Sequence, residues 1–255
     1  MLIDFNTIHN ILHQNQIHIT GALHIGAHEC EELPFYNKLG LSNQDIVWID
    51  GIPQKVEEAI HRGIPNVYNA IITDVDDKDV VLNISNNVQS SSILQFGTHS
   101  KEHPEIVYVD KITSKSITIE SFFKKYSIDY KKLNFWNFDI QGAELMALKG
   151  AENYIKYAKA IYIEVNEKEL YQKCGLIHEI DTFLSKYNFK RIITKMTPHG
   201  WGDALYIIPN PTPLPKLIPP LPKLIPPLKR QSLKYRRPIR RIWFNINGIR
   251  YYRYI

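Results

Sequence analysis

Residues 133–155, LNFWNFDIQGAELMALKGAENYI, decide the fold of this chain. Leu133 to Phe138 reads as a buried strand that breaks at Asp139. The chain then passes through Gly142 and enters a helical pattern, with apolar residues at Leu145, Met146, Leu148 and Ala151. A carboxylate at the C-terminal end of a strand, followed by a glycine turn, stands where open α/β sheets bind their ligands.

Outward from that stretch, strand patterns alternate with helix patterns, which predicts an α/β fold: a mostly parallel sheet with helices on both faces. Strands are expected at 20–26, 45–50, 66–72, 133–139, 160–166, 188–195 and 203–208. Helices are expected at 30–39, 53–62, 118–126, 143–157 and 176–187. Pro53 suits the first turn of its helix, and Thr118 suits an N-cap. Residues 79–112 read as extra short strands plus a polar loop, NISNNVQSSS (83–92). The last two strands are separated by TPHGWG (197–202) rather than by a helix, so they are expected to run antiparallel.

The chain has 255 residues and 44% hydrophobic content, ample for one large core and a tail. Cys30 and Cys174 are the only cysteines, too few for a disulfide framework, which points to a reducing compartment. Cys30 is expected to be a small buried filler. No apolar run approaches the roughly 20 residues of a membrane span. The start, MLIDFNTIHN, lacks the basic opening of a signal peptide. A soluble, cytoplasmic protein is therefore expected.

The net charge of +5 hides a division. Residues 211–255 hold eleven Lys or Arg and no Asp or Glu, which leaves residues 1–210 at −6, with 20 basic against 26 acidic. PLPKLIP at 213–219 repeats at 220–226, and nine of the 15 prolines lie in 211–255. Such a segment favours extended polyproline II over packed helix or sheet. Three regions are expected: a domain at 1–210, a Pro-rich linker at 211–228 and a basic, aromatic tail at 229–255.

Six blocks stand in order along the body: HIGAHECEE (24–32), VWIDGIP (47–53), SNNVQSSSI (85–93), DIQGAELMALKGA (139–151), IYIEVNEKELY (161–171) and GWGDALYI (200–207). With these blocks the chain resembles the FkbM family of S-adenosylmethionine (SAM)-dependent methyltransferases over roughly residues 20–208. The resemblance implies a Rossmann-like sheet of seven strands, the last antiparallel, with SAM as cofactor. It also implies that Ile72 to Asp74 lie near the adenine, and that Ser91, Ser92 and His99, in SSSILQFGTH (90–99), lie near the acceptor. The acceptor it points to is a sugar hydroxyl on a glycan or glycosylated metabolite.

The cofactor end is read from His24, Gly26, Ala27 and His28 in the first turn, Asp50 and Gly51 after the second strand, and Ile72 after the third. At Gly26 a side chain would occupy the ligand's space. Backbone N–H groups at residues 27–30, taken as a helix N-terminus, would meet the methionine carboxylate. Asp50 ends its strand about 24 residues after Gly26, where the acid that pairs with ribose hydroxyls is expected. His24 stands where the resembling family often has an acidic residue, which weakens any ion pair from that position. The turn has a single glycine, not the three-glycine pattern of a pyrophosphate site, so SAM is preferred to a dinucleotide.

Methyl transfer from SAM to an alcohol needs alignment and a base, the latter contributing about 100- to 10,000-fold. Asp139 and Glu164 are the candidate base and orienting group in either order, with His24 a further catalytic candidate. Alternatively Asp139, Glu164 and Asn166 would bind Mg²⁺ through oxygen. Trp201 offers a flat apolar face to a sugar ring, with Asp203 beside it. His28, His103 and His199 are further histidine candidates.

Two other functions compete. RNA ribose 2′-O-methylation calls for a Lys ahead of the first strand, and no Lys or Arg precedes Lys38. A non-catalytic SAM-fold module would work through its Pro-rich tail, whose PxxP-like spacing suits aromatic grooves, but the intact Asp50, Asp139 and Glu164 speak for an active site. The tail's mixed cationic and aromatic residues suit an anionic membrane, RNA or another protein.

Overall fold

The computed structural model describes residues 1–209 and, beyond them, residues 241–246 and 249–254. The chain divides into two compact units, Met1–Thr212 and Pro213–Ile255. No helix of the described residues is long and apolar enough to cross a membrane.

In the first unit the strands are β1 (Ala22–Ile25), β2 (Ile46–Asp50), β3 (Val67–Asn69), β4 (Ile71–Ile72), β5 (Asp79–Ser85), β6 (Tyr108–Ile117), β7 (Phe135–Phe138), β8 (Ala160–Asn166), β9 (Lys190–Met196) and β10 (Trp201–Ile207). The helices are α1 (Phe5–Gln14), α2 (Leu33–Lys38), α3 (Pro53–His61), α4 (His99–Glu102), α5 (Ile119–Lys125), α6 (Glu144–Lys149) and α7 (Ile177–Ser185). Seven strands form one sheet in the order β3-β2-β1-β7-β8-β10-β9. The first five are parallel, and β10 runs antiparallel to both β8 and β9. The α/β fold and its antiparallel ending are as expected.

Alternation along each strand sends successive side chains to opposite faces. Leu23, Ile25, Val47, Ile49, Trp136 and Phe138 pack with α5, α6 and α7 on one face. Ala22, Ile46, Trp48 and Phe135 pack with α1, α2 and α3 on the other. Strands buried on both faces need apolar residues at nearly every position, and β1, β2, β7 and β8 have none exposed.

The structure departs from the sequence reading at four elements. Helix α1 was not expected. Asp4 caps it by accepting the Thr7 amide at 3.0 Å, and Ile8 and Leu12 are buried beneath it. Ten residues are too few for a helix stable in isolation, so that burial holds it. The helix expected at 30–39 begins only at Leu33, because Cys30 lies at φ +56. The helix expected at 143–157 ends at Gly150, where a Cβ would meet the Thr73 carbonyl oxygen at 2.1 Å, and a 3-10 turn covers Glu152–Tyr157. The strand expected at 66–72 divides. β3 stays in the main sheet, whereas β4 joins β6 and β5 in a separate three-stranded sheet.

In the second unit, β11 (Arg241–Ile246) and β12 (Ile249–Tyr254) pair antiparallel as a hairpin. The polyproline linker expected at 211–228 lies outside the described residues.

Candidate active site

Strand order reverses direction between β1 and β7, and a crevice opens beyond the C-terminal ends of those two strands. A cavity of about 660 Å³ occupies it, within the roughly 300–1,000 Å³ typical of small-molecule sites. Gly26, His28, Asp50, Gly51, Ile72, Ser91, His99, Asp139, Glu164 and Trp201 all line it, as does Asp203. Residues expected from all six sequence blocks therefore converge on one cavity.

The turn after β1 is built differently from the expectation. Gly26 is required by its neighbour in the fold. It lies at φ +93, and a Cβ there would come 1.8 Å from the Asp139 carbonyl oxygen. The amides of residues 26–30 are already used: Gly26 and Ala27 donate to Ile49 O, His28 to Asp50 Oδ2, Glu29 to Glu31 Oε2 and Cys30 to Ala27 O. No open helix N-terminus faces the cavity here, which corrects the reading of residues 27–30 as a carboxylate cradle. Cys30 is buried and its thiol is pushed up to about 12, chiefly by burial, as befits a filler.

Asp50 accepts the His28 amide on Oδ2 and the Ile52 amide on Oδ1, both at 2.7 Å. Burial raises its carboxyl, and these two amides oppose that rise. Each oxygen retains a lone pair for a further donor. Beside it, Ile52, Ile71, Ile72 and Leu82 form an apolar wall.

At the other end, Gln141 organises the two catalytic candidates. Its Nε2 donates to Asp139 Oδ1 at 2.7 Å and to Glu164 Oε2 at 2.8 Å, while its Oε1 accepts the Tyr171 hydroxyl at 2.6 Å. Burial, then the negative charges of Asp139, Glu144 and Asp203, push the Glu164 carboxyl well above its ordinary range. Asp139 is raised chiefly by burial, with the Gln141 hydrogen bond holding it down. Glu144 is fully buried and accepts the Ile140 and Gly142 amides at 3.0 and 3.1 Å. Burial raises it to about 7.

Four expected site residues do not line the cavity. His24 is 1% exposed, stacked on Trp48 at 4.9 Å, with Nδ1 2.9 Å from the Tyr36 hydroxyl. Burial lowers it to about 4. It is therefore neutral near pH 7 and braces the sheet under the site, which corrects its assignment to cofactor contact and catalysis. Ala27 is buried among α1 and α2 side chains. Ser92 donates its hydroxyl to the Gln141 carbonyl at 2.7 Å and so supports the turn from behind. Asn166 is fully buried and its side-chain amide has no partner. The Mg²⁺ set of Asp139, Glu164 and Asn166 is thus not assembled, and among the described residues no three His, Cys, Asp or Glu form a metal-binding group.

Ser91 is held locally, donating to Val88 O at 2.5 Å and accepting the Ser85 amide at 3.0 Å. His99 lies flat on Phe96, ring centres 4.4 Å apart, and its Nδ1 is buried without a partner in a wall of the cavity. His103 also lines the cavity, whereas His199 pairs with Glu102 at 3.0 Å. Asp203 accepts the Tyr162 hydroxyl and the Leu2 amide. Sequence reasoning missed Gln141, Glu144, Tyr171 and Glu32. The pattern Asp139-x-Gln141-Gly142-x-Glu144, polar groups bunched around a turn glycine at a strand end, was the available signal.

Among the described residues the lining holds seven carboxylates (Glu31, Glu32, Asp50, Glu105, Asp139, Glu164, Asp203) and no Lys or Arg. Such a cavity favours a cationic ligand and disfavours phosphate.

A family model described as the Methyltransferase FkbM domain matches residues 24–191, well over half of the chain. A solved structure, the crystal structure of a SAM dependent methyltransferase from Aquifex aeolicus, is 14% identical with a TM-score of 0.33, covering 81% of this chain and 99% of that one. No curated protein matches the chain.

Proposed function

The chain belongs to the FkbM methyltransferase family and is a SAM-dependent methyltransferase, and we propose that it O-methylates a sugar hydroxyl on a glycan or glycosylated metabolite. The observation that carries this reading is the carboxylate pair Asp139 and Glu164, facing the same cavity as the indole of Trp201. A polyol offers hydroxyls to the carboxylates and an apolar ring face to the indole. The absence of Lys and Arg from the described lining disfavours an RNA acceptor, whose phosphates need cationic contacts.

The residues present fit SAM. Asp50 would take the ribose hydroxyls on its remaining lone pairs. Ile52, Ile71, Ile72 and Leu82 would enclose the adenine, and Glu31 and Glu32 supply negative charge for the amino group. When bound, SAM supplies an electrophilic methyl group. Asp139 then accepts the proton that the acceptor hydroxyl loses, and Glu164, holding its own proton, donates a hydrogen bond that orients the acceptor.

The test is a screen of free sugars, nucleotide sugars and glycans with isotope-labelled SAM, read by mass spectrometry. Label on a sugar oxygen is expected. Label on RNA or protein alone would overturn the acceptor class.

We also propose residues 211–255 as a cationic attachment arm. Eleven basic residues with no acidic neighbour in that segment support contact with an anionic membrane surface, each contributing on the order of 1 kcal/mol.

A further inference from the structure

We propose that Gln141 is the positioning residue of this site: its amide, oriented by Tyr171, holds the Asp139 and Glu164 carboxylates side by side and leaves Asp139 as the one that takes the acceptor's proton. The inference rests on the methyltransferase reading for what the pair does, and on geometry alone for how the pair is held.

Two carboxylates converging on one cavity repel each other unless donors or a shared proton intervene. Here one amide nitrogen supplies both donors, at 2.7 Å to Asp139 and 2.8 Å to Glu164. A glutamine amide has two ends of similar shape, so something must choose which faces the carboxylates. Tyr171 makes that choice. Burial raises its hydroxyl far above neutrality, so it stays protonated and donates to Oε1 at 2.6 Å. The reversed amide would set a carbonyl against two carboxylates.

The backbone is built for this presentation. Gln141 lies at φ +55, a conformation that side-chain-bearing residues seldom adopt. Glu144 fixes the turn by accepting the amides on both sides of it, Ile140 and Gly142. Ser92 Oγ donates to the Gln141 carbonyl at 2.7 Å. Two residues from two segments therefore hold a glutamine in an unfavourable backbone state, with its side chain in the cavity lining. A glutamine serving only to fill space would not need them.

The charged and titratable groups around Asp139 are His24 on β1, Glu32 ahead of α2, Glu144 on α6, Glu164 on β8, Tyr171 after it and Asp203 on β10. His24, lowered to about 4, is neutral near pH 7 and adds no cation. Gln141 then favours the ionised form of Asp139, as does Glu164, which is pushed well up, keeps its proton and hydrogen-bonds to Asp139.

The test uses the full chain with 13C-carboxyl-labelled aspartate, the Asp139 signal being assigned by its loss in Asp139→Asn. In Gln141→Leu the Asp139 titration midpoint moves to higher pH. In Tyr171→Phe, which leaves the amide free to turn, it moves the same way but less. Tyr171→Phe carries the test alone if Gln141→Leu does not fold. A midpoint unchanged in the folded variants overturns the proposal. SAM calorimetry on the same samples separates the two claims: wild-type protein that binds no SAM sinks the methyltransferase reading, while the titration still judges the clamp. Once an acceptor is in hand, the acid limb of the activity profile moves up in Gln141→Leu. A uniform loss at every pH would mark a packing role.

Discussion

At Gly26 and Asp50 the site depends on atoms that also hold the fold. Gly26→Ala forces a Cβ to within 1.8 Å of a backbone oxygen, at a φ of +93 that alanine avoids. A cost of roughly 3 kcal/mol or more follows, so calorimetry should show a melting temperature lower by about 6 °C or more. Asp50→Ala should weaken SAM binding by about 1–3 kcal/mol. It should also lower stability, because the His28 and Ile52 amides lose their acceptor. Asp139→Asn should keep SAM binding and lose turnover by about 100- to 10,000-fold. If both variants lost SAM equally, Asp139 would belong to the cofactor and not to the acceptor. Asp50 and Asp139 were legible from sequence because a carboxylate ending an apolar strand is unusual without a task. Gln141 was legible only as one of the polar groups bunched around Gly142, since nothing in a lone glutamine announces a left-handed backbone or a tyrosine thirty residues away in sequence. His24 misled for the converse reason: its position beside Gly26 suggested the cavity, but strand alternation turns it into the core with Trp48.

The turn from β7 into α6 gives a pH dependence at the scale of an element. Glu144 rises from an ordinary 4.5 to about 7, with burial the main cause, and Asp139 and Glu164 rise with it. For an acid raised in the folded state, the contribution to stability is fully present below the unfolded value and is lost as pH rises through the folded one. Stability should therefore decline between about pH 5 and pH 8, by on the order of 2 kcal/mol from Glu144. Glu144→Gln keeps an oxygen for the Ile140 and Gly142 amides and removes the titration, so its melting temperature should vary less across that window. A wild-type melting temperature that rises from pH 5 to pH 8 would contradict this. The main-sheet strands were legible because burial on both faces leaves near-continuous apolar runs. The β5–β6 pair was harder to read: its exposed positions carry Val81 and Val109 among polar residues, so neither face gives a clean alternation. Helix α2 started late because backbone conformation at His28 and Cys30 cannot be read from their side chains.

On the scale of the whole molecule, blocks spread from residue 24 to residue 203 meet at one sheet edge because the strand order reverses there. That convergence follows from the alternating strand and helix pattern, so the site's location was legible even where its contacts were not. The second unit was legible in composition but not in structure. Its Asn247-Gly248 dipeptide, between two runs rich in aromatic and β-branched residues, is a hairpin signal in the sequence. If residues 211–255 are an attachment arm, deleting them should abolish sedimentation with anionic liposomes and leave SAM binding unchanged. Loss of RNA binding instead would reassign the partner, and a lowered melting temperature alone would mean that the segment serves stability. The central claim is that the cavity at the β1–β7 crevice holds SAM. Titration calorimetry of the full chain with SAM tests it most directly. One SAM should bind per chain, with affinity reduced in Asp50→Ala and retained in Asp139→Asn, whereas no heat of binding up to millimolar SAM would contradict the account.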